Sequence, residues 1–216
     1  NKTGSISTYM AGKKTGIIWG LETAGIAKSQ EEMDNHLATL PHGGQDAIGS
    51  QWAAGDIMYK DLNGDGKIST GANTLNDHGD LKVLGDANPH YFFGIDLTAD
   101  WKGFDFRCFL QGVLKHDFWA GGDSTTNNDN AGGYFWGARG NVSEWHIRGF
   151  VQHNDYFRAE SVGLEGYEIP ANVDSYFPRP LLSYADGGKN QRVQSRYMQN
   201  AAYMRLKNLQ LGYTLP

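Results

Sequence analysis

The sequence predicts an all-β protein of antiparallel strands with one short helix and long loops. Glycine accounts for 29 of the 216 residues, and aromatic residues make up 12% of the chain. Glycine marks turns and bulges, whereas tryptophan, tyrosine and phenylalanine suit a pleated, half-buried surface. Two segments, 93–111 and 203–213, also show the alternation of apolar and polar residues that is typical of strands.

Residues 93–111 predict a β-hairpin whose register can be read from the sequence. Apolar residues occupy the odd positions up to Trp101, and Lys102 and Gly103 supply a two-residue turn. If Trp101 pairs with Phe104, the apolar residues of both strands share one face. That face would pack on a second sheet in a soluble sandwich or meet lipid in a membrane barrel, and the hairpin alone leaves both open.

A further strand is predicted at residues 203–213, where Leu209, Leu211 and Tyr213 share one face. The sequence shows no partner for this strand before the chain ends at Pro216. An open sheet would expose an unpaired edge, so we expect a fragment of a larger sheet.

One short helix is predicted over residues 30–40. Ser29 and Glu32 form the Ser-x-x-Glu pattern of a capping box, in which both side chains bind free backbone N–H groups. Pro41 follows and ends the helical pattern.

Composition excludes several classes of function. Nineteen Lys and Arg against 24 Asp and Glu give a net charge of -5 without a basic stripe, so we expect no nucleic-acid partner.

No apolar run approaches the roughly 20 residues of a membrane helix, whereas a membrane strand needs only about 9–11. The nucleophile-elbow, phosphate-loop and zinc-protease motifs are missing, so we expect no enzyme and no catalytic residues. Cys108 has apolar neighbours and is interpreted as a packed structural thiol.

Residues 61–80 contain the most specific short motif, a calcium-type loop. Asp61, Asn63 and Asp65 place oxygen-bearing side chains at loop positions one, three and five, and a glycine follows at six. The carbonyl of Lys67 lies at position seven. Calcium prefers six to eight oxygen ligands, and this spacing makes alternate side chains converge.

The calcium motif is incomplete at position twelve, where Ala72 stands in place of a bidentate carboxylate. Either Asp77 or Asp80 could supply the missing group. The flanking segments look extended, whereas an EF-hand has helices. An Asx-rich turn without an ion is the alternative interpretation.

Several further segments resemble one protein family, the C-terminal region of SusC/RagA-type TonB-dependent outer-membrane proteins. The resemblance touches most of the chain and is weakest across residues 113–175. The segments that carry it are Gly16–Gly20, Gly25–Ile26, Ser29–Glu32, Gly55–Ile68, Asp80–Pro89, Tyr91–Gln111, Pro178–Arg179 and Tyr203–Pro216.

The resemblance implies that residues 1–216 form the C-terminal portion of a large transmembrane β-barrel with long extracellular loops. Such a protein lies in the outer membrane, contacts its lipid and imports glycans or peptides with energy passed through TonB. A SusD-like surface lipoprotein caps the barrel. We expect the plug and the TonB-contacting segment to lie outside this chain. In the family's terms Asp80 is the aligned carboxylate, so we prefer it to Asp77 as a ligand of a structural Ca²⁺.

Residues 113–200 are predicted as a long loop region rich in polar and aromatic residues. In a transporter, Trp119, Trp136 and Trp145 are candidates for stacking on a sugar substrate, with structural packing as the alternative. The competing functional hypothesis is a soluble, calcium-stabilised β module that binds carbohydrate.

Overall fold

The computed structural model describes residue 6 and residues 14–119, 151–181 and 187–215. Within these ranges the chain is mostly β with one α-helix, as the sequence predicts. The strands and the helix are, in chain order, β1 Ile17–Leu21, β2 Thr23–Ile26, α1 Gln30–Ala38, β3 Ile57–Tyr59, β4 Leu81–Asp86, β5 His90–Trp101, β6 Phe104–Lys115, β7 Asp117–Trp119, β8 Met198–Asn200 and β9 Tyr203–Tyr213.

The described strands form antiparallel sheets with the orders β1–β4, β2–β3, β5–β6–β9 and β7–β8. The predicted loop region 113–200 therefore contains the end of β6 and two short strands, β7 and β8. The described sheets do not close into a barrel. The barrel implied by the resemblance is taken up below as a proposal.

The β5–β6 hairpin has the register predicted from the sequence. Trp101 pairs with Phe104 beside the turn, and Leu97 pairs with Cys108 in the middle of the strands. Lys102 and Gly103 have φ values of 47° and 85°, the positive values that a tight two-residue hairpin turn requires.

Strand β9 corrects one expectation, because it has a partner within this chain. It lies antiparallel to β6, from the pair Phe104 and Tyr213 to the pair Val113 and Tyr203. The two strands are separated by most of the loop region. Such non-local pairing leaves no local signal in the sequence, which is why the strand looked unpaired.

A β-bulge interrupts the β6–β9 pairing. Phe109 pairs with Asn208 and the next residue, Leu110, pairs with Leu206, so Lys207 is the extra residue. The bulge changes which positions of β9 share a face with the apolar residues of β6. Leu206 therefore joins Leu209 on the apolar face, although one position number is even and the other odd.

Helix α1 begins at the predicted residue and ends slightly earlier than predicted. The Ser29 hydroxyl oxygen accepts a hydrogen bond from Glu32 N at 3.1 Å. The Glu32 carboxylate accepts one from Lys28 N at 2.7 Å, one residue upstream of the usual capping-box partner. No helix among the described residues is long and apolar enough to cross a membrane.

The hydrophobic core lies between α1, the β1–β4 and β2–β3 pairs, and segments from the last third of the chain. Met33 of α1 and Ile57 and Tyr59 of β3 are fully buried there, together with Phe177 and Tyr197. The rings of Phe177 and Tyr197 stack with centroids 5.8 Å apart. The core thus joins residues distant in sequence and holds the loop that follows β3.

Candidate functional site

The loop that follows β3 is anchored to the core by its only fully buried apolar side chain among residues 61–69. Ile68 is completely buried in the hydrophobic core, and its N–H donates to Gly44 O at 2.7 Å. The loop also accepts a hydrogen bond at Gly66 O from His42 N, at 2.9 Å. The loop therefore has a fixed position against the turn after α1.

The carboxylate of Asp61 organises the first half of this loop. Its Oδ1 accepts from Gly64 N at 2.6 Å, and its Oδ2 accepts from Gly66 N at 2.8 Å. Both glycines have a φ of 76°, a left-handed conformation that favours glycine. Burial disfavours the charged form of Asp61, but hydrogen bonds from the backbone outweigh it and hold the pKa below its usual value.

Asn63 and Asp65 form the outer part of the loop. Asn63 Oδ1 accepts from Asp65 N at 2.9 Å, and Asp65 Oδ1 accepts from Lys67 N at 3.1 Å. The Asn63 amide donates to Asp65 Oδ2 at 3.2 Å. The two contacts with backbone N–H groups are Asx turns, and the Lys67 side chain is exposed.

Asp80 is the later carboxylate that meets the loop. It is completely buried, and its Oδ1 accepts from Leu62 N at 2.8 Å while its Oδ2 accepts from Ser69 N at 2.7 Å. Asp80 N in turn donates to Ser69 O at 2.8 Å. The side chain of Asp77 is exposed instead. Asp80 thus closes the loop by binding both of its ends.

The donor set of the loop matches the oxygen chemistry of a hard cation. The carboxylates of Asp61 and Asp80 both accept hydrogen bonds from backbone N–H groups of this loop. Each carboxylate oxygen can accept more than one hydrogen bond or a metal ion, so its bonds to N–H groups do not exhaust it. The Asp65 carboxylate faces Lys67 N and would have to turn. Across the described ranges, no group of three or more His, Cys, Asp or Glu side chains is arranged to hold a metal ion.

Sequence reasoning missed a buried ionic cluster centred on Asp56, immediately before β3. Asp56 is completely buried. Its Oδ1 accepts from Arg179 Nε at 2.7 Å and from Asn190 Nδ2 at 2.9 Å. Its Oδ2 accepts from Arg179 Nη2 at 2.8 Å and from Ala53 N at 3.0 Å. The bidentate pair with arginine is the strongest geometry for such a contact.

Lys189 is the second cation of this cluster and is also buried. Its Nζ lies 2.8 Å from Asp56 Oδ2 and donates to Ser50 O at 2.7 Å and Gln51 O at 2.9 Å. The ammonium group thus has three acceptors for its three protons. It also lies 4.8 Å from the centroid of the Trp52 ring.

Side-chain amides complete the hydrogen bonding of β3. One edge of β3 pairs with β2, and the other edge is filled by Gln45 and Asn190. Ile57 N donates to Asn190 Oδ1 at 2.9 Å, and Tyr59 N donates to Gln45 Oε1 at 2.6 Å. Gln45 Nε2 donates to Ile57 O at 3.2 Å. The buried edge of this short strand is therefore satisfied without another strand.

The cluster also sets the ionisation of its acidic groups. Burial disfavours the charged Asp56, but hydrogen bonds from Arg179, Lys189 and Asn190 outweigh it and hold the pKa below its usual value. Burial raises the pKa of the Tyr59 hydroxyl, which donates to Lys189 O at 2.6 Å. Asp56 is thus charged, and Tyr59 neutral, at physiological pH.

Of the three candidate stacking residues, Trp119 lies within the described ranges. Trp119 lies at the end of β7, is half-buried and packs against the hydrophobic core. Trp136 and Trp145 lie outside the described residues.

Comparison with known proteins gives two relatives, both from Formosa agariphila. TonB-dependent receptor P3 is 24% identical over 210 residues, which cover 95% of this chain. TonB-dependent receptor P26 is 27% identical over 207 residues, which cover 96% of this chain. In both cases the chain spans only 16% of the relative's length. No family model matches the chain.

These similarities support a relation to the TonB-dependent receptor family. Neither name specifies the SusC/RagA type, a SusD-like partner or a substrate. Those finer features belong to the proposal that follows.

The buried carboxylate of Asp80 generates the first prediction. Asp80→Asn places an amide group against a backbone N–H, which is expected to lower the local opening free energy of residues 61–80 by about 1–3 kcal/mol. Hydrogen exchange of the Leu62 and Ser69 amides in the full-length gene product measures this. Asp77→Asn, at an exposed position, is the matched control and should leave both amides protected. Equal protection in the two variants would contradict the closing role of Asp80.

The Asp56 cluster generates the second prediction. Asp56→Asn leaves Lys189 buried without its carboxylate, which is expected to lower the opening free energy of β3 by about 3–5 kcal/mol. Hydrogen exchange of Ile57 and Tyr59 reports on β3. Asp46→Asn, at an exposed position, should change the opening free energy by less than about 0.5 kcal/mol.

The same cluster predicts a pH dependence. The pKa of Asp56 is lowered on folding, so its stabilising contribution is complete above the unfolded value of about 3.9 and is lost as the pH falls through the folded value. After correction for intrinsic exchange rates, β3 protection should therefore fall below about pH 4 more steeply in the wild type than in Asp56→Asn. Parallel pH profiles of the two proteins would exclude this role for Asp56.

Proposed function

We propose that this chain is the C-terminal part of an outer-membrane importer of the TonB-dependent SusC/RagA type. The observation that carries the proposal is the β5–β6–β9 sheet, whose apolar face is continuous and exposed. Leu97, Leu209 and Leu211 on that face are 51%, 60% and 76% exposed. Soluble proteins rarely leave an apolar surface of this extent in water, whereas a membrane strand presents it to lipid.

The dimensions of the sheet support membrane insertion. Strands β5 and β6 have 12 residues each and β9 has 11. A strand that crosses a bilayer at a tilt needs about 9–11 residues. Aromatic residues gather at the turn end of the sheet, where the rings of Phe104 and Tyr213 lie 4.5 Å apart next to Trp101. Aromatic girdles of this kind mark the membrane interface in barrels.

The opposite face of the same sheet carries mainly polar and charged residues, as the lumen side of a barrel would, with Phe92 and Phe109 among the exceptions. Arg107 and Asp96 form a bidentate ion pair across β5 and β6, with distances of 2.6 Å and 3.0 Å. Asp100 and Asp105 pair on this face closer to the turn. Lipid on one side and water on the other account for both faces, since alternate residues of a strand point in opposite directions.

The same proposal assigns an orientation. The two-residue turn between β5 and β6 lies on the inner side of the membrane, and the folded unit around Asp56 lies on the outer side, because barrels have short inner turns and long outer segments. A SusD-like lipoprotein would cap this outer side, and TonB would act through segments outside this chain. The substrate would be a glycan or a peptide, with Trp119, Trp136 and Trp145 as candidate contacts.

Calcium binding is the second part of the proposal. Asp61, Asn63, Asp65, the Lys67 carbonyl and Asp80 would hold one structural Ca²⁺. The supporting observation is that the carboxylates of Asp61 and Asp80 both bind the backbone of one loop, which places oxygen ligands of the kind that Ca²⁺ prefers on the same short segment. The ion would fix the link between β3 and β4.

The membrane proposal predicts opposite effects at neighbouring residues of β9. Leu209→Lys puts a charge on the lipid face near the middle of the strand, at a cost of about 2–4 kcal/mol. Asn208→Lys puts the same charge on the polar face and should be tolerated. The readout is the amount of folded full-length gene product in the outer-membrane fraction.

The same experiment separates the alternative function. In a soluble, calcium-stabilised module that binds carbohydrate, Leu209→Lys would be silent and the protein would be recovered without detergent. That pair of results would refute the transporter and favour the module.

Calcium binding predicts a stabilisation that depends on the ion. Calcium at about 100 times its dissociation constant should stabilise the folded loop by about 2.7 kcal/mol relative to chelator. The readout is hydrogen exchange of residues 61–69 in the full-length gene product, with and without calcium. Asp65→Ala should abolish the calcium effect, and Asp77→Ala should retain it. Identical exchange in calcium and chelator would rule out the ion.

A further inference from the structure

Residues 158–172 form an exposed hairpin, called the acidic hairpin below, between the core residues Phe157 and Phe177. At its base the backbones of Arg158 and Asn172 exchange two hydrogen bonds, of 3.0 Å and 2.8 Å. Further along, Val162 and Ile169 exchange two more, of 2.9 Å and 2.7 Å. The acidic hairpin therefore has a defined backbone conformation.

The base of the acidic hairpin is tied to the protein core. Arg158 is only 8% exposed, and its guanidinium donates to Pro170 O at 2.8 Å and to Asn154 O at 3.0 Å. The chain next to it continues into Phe157, a buried core residue whose N–H donates to Phe177 O at 3.1 Å. The base of the acidic hairpin is therefore held in place by hydrogen bonds and by the packing of Phe157.

The tip of the acidic hairpin exposes large apolar side chains. Leu164 and Tyr167 are 79% and 84% exposed, and they are held in one turn by a hydrogen bond from Tyr167 N to Leu164 O at 2.8 Å. Neither side chain contributes much to the core in this position. Because the turn is already ordered, binding there would lose little conformational entropy, and a tyrosine in such a place is a typical interaction anchor.

The charged side chains of this hairpin are mainly acidic. Glu160, Glu165 and Glu168 are exposed on the acidic hairpin, and Arg158 is the only basic residue between positions 158 and 172. The Arg158 guanidinium is bound to carbonyl groups at the base, away from the tip. The tip therefore combines exposed apolar side chains with two exposed carboxylates, Glu165 and Glu168, which are their neighbours in sequence, and Glu160 lies nearer the base.

We propose that the acidic hairpin is a docking element for a protein partner that has an apolar pocket rimmed by lysine or arginine. Leu164 and Tyr167 enter the pocket, and Glu165 and Glu168 face the basic rim. Charge complementarity selects this occupant and guides its approach. The inference goes beyond import and does not rest on it, because it depends only on the hairpin and its anchors.

The same charges argue against other occupants. An anionic lipid surface would repel the carboxylates of Glu165 and Glu168 beside the apolar tip. A second copy of this chain carries a net charge of -5, so it offers an overall negative partner. A basic protein surface is the occupant that matches both the apolar and the acidic groups.

The test begins with the photo-crosslinking residue p-benzoylphenylalanine at position 167 of the full-length gene product in its own cells. We expect a protein adduct there and none at Tyr91, which is 73% exposed on β5. The adduct protein is then purified, and its affinity for the full-length gene product is measured. Tyr167→Ser, and the pair Glu165→Lys with Glu168→Lys, should each weaken binding at least about tenfold.

A matched charge control decides whether the effect is local. Glu31→Lys, at an exposed position of α1, should leave the affinity unchanged, and all variants should keep the wild-type hydrogen exchange of β3. The proposal is overturned if position 167 gives no adduct above the Tyr91 control. It is also overturned by an adduct only with lipid, glycan or a second copy, or by a partner indifferent to the two charge reversals.

Discussion

The buried contact of Asp56 with Arg179 and Lys189 is the interaction on which the rest of the described unit depends. Its distances of 2.7–2.8 Å join a residue just before β3 to two residues more than a hundred positions later. Arg179 and Lys189 share one carboxylate, so loss of Asp56 would leave their positive charges without a counter-ion in the interior. Buried pairs of this kind add little net stability over apolar residues, but breaking one is costly, and they can fix a unique arrangement.

The candidate calcium loop inherits its position from this contact. Strand β3 follows Asp56 directly and is held on one edge by Gln45 and Asn190. The loop follows β3 after one intervening residue, Lys60, and Ile68 returns the chain to the core. Along the chain, the buried ion cluster comes first. Strand β3 follows, with side-chain amides bound to one edge, and then comes the loop whose backbone is bound by the carboxylates of Asp61 and Asp80.

Features with a short sequence period could be predicted, because the physics that sets them is local. Alternation fixed the register of β5 and β6, since a slip of one residue would turn every apolar side chain over. Ser29 and Glu32 predicted the start of α1 for the same reason. The family resemblance led us to prefer Asp80 over Asp77, and Asp80 is the carboxylate that binds the loop backbone. Whether an ion binds there stays a prediction.

Features that depend on distant residues could not be predicted. Arg179 belongs to one of the segments that resemble the SusC/RagA-type family, but no residue near it in the sequence indicates that its guanidinium binds Asp56. The pairing of β9 with β6 was missed because no local pattern names a partner across a long loop. Trp119 shows the same limit, since an aromatic residue in a polar segment gives no sign of whether it packs against the core.

The bulge at Lys207 changes which positions of β9 face the apolar side of the sheet. On one side of it the apolar positions are odd, as at Leu209 and Leu211, and on the other they are even, as at Met204 and Leu206. Losing that single residue would restore regular alternation, because Leu206 would then adjoin Asn208 and still lie opposite Leu110, and Arg205 would stay on the polar side. The bulge is therefore the position where β9 can lose one residue without turning its apolar side chains over, whereas a single deletion elsewhere, with the bulge retained, would turn the residues beyond it to the opposite face.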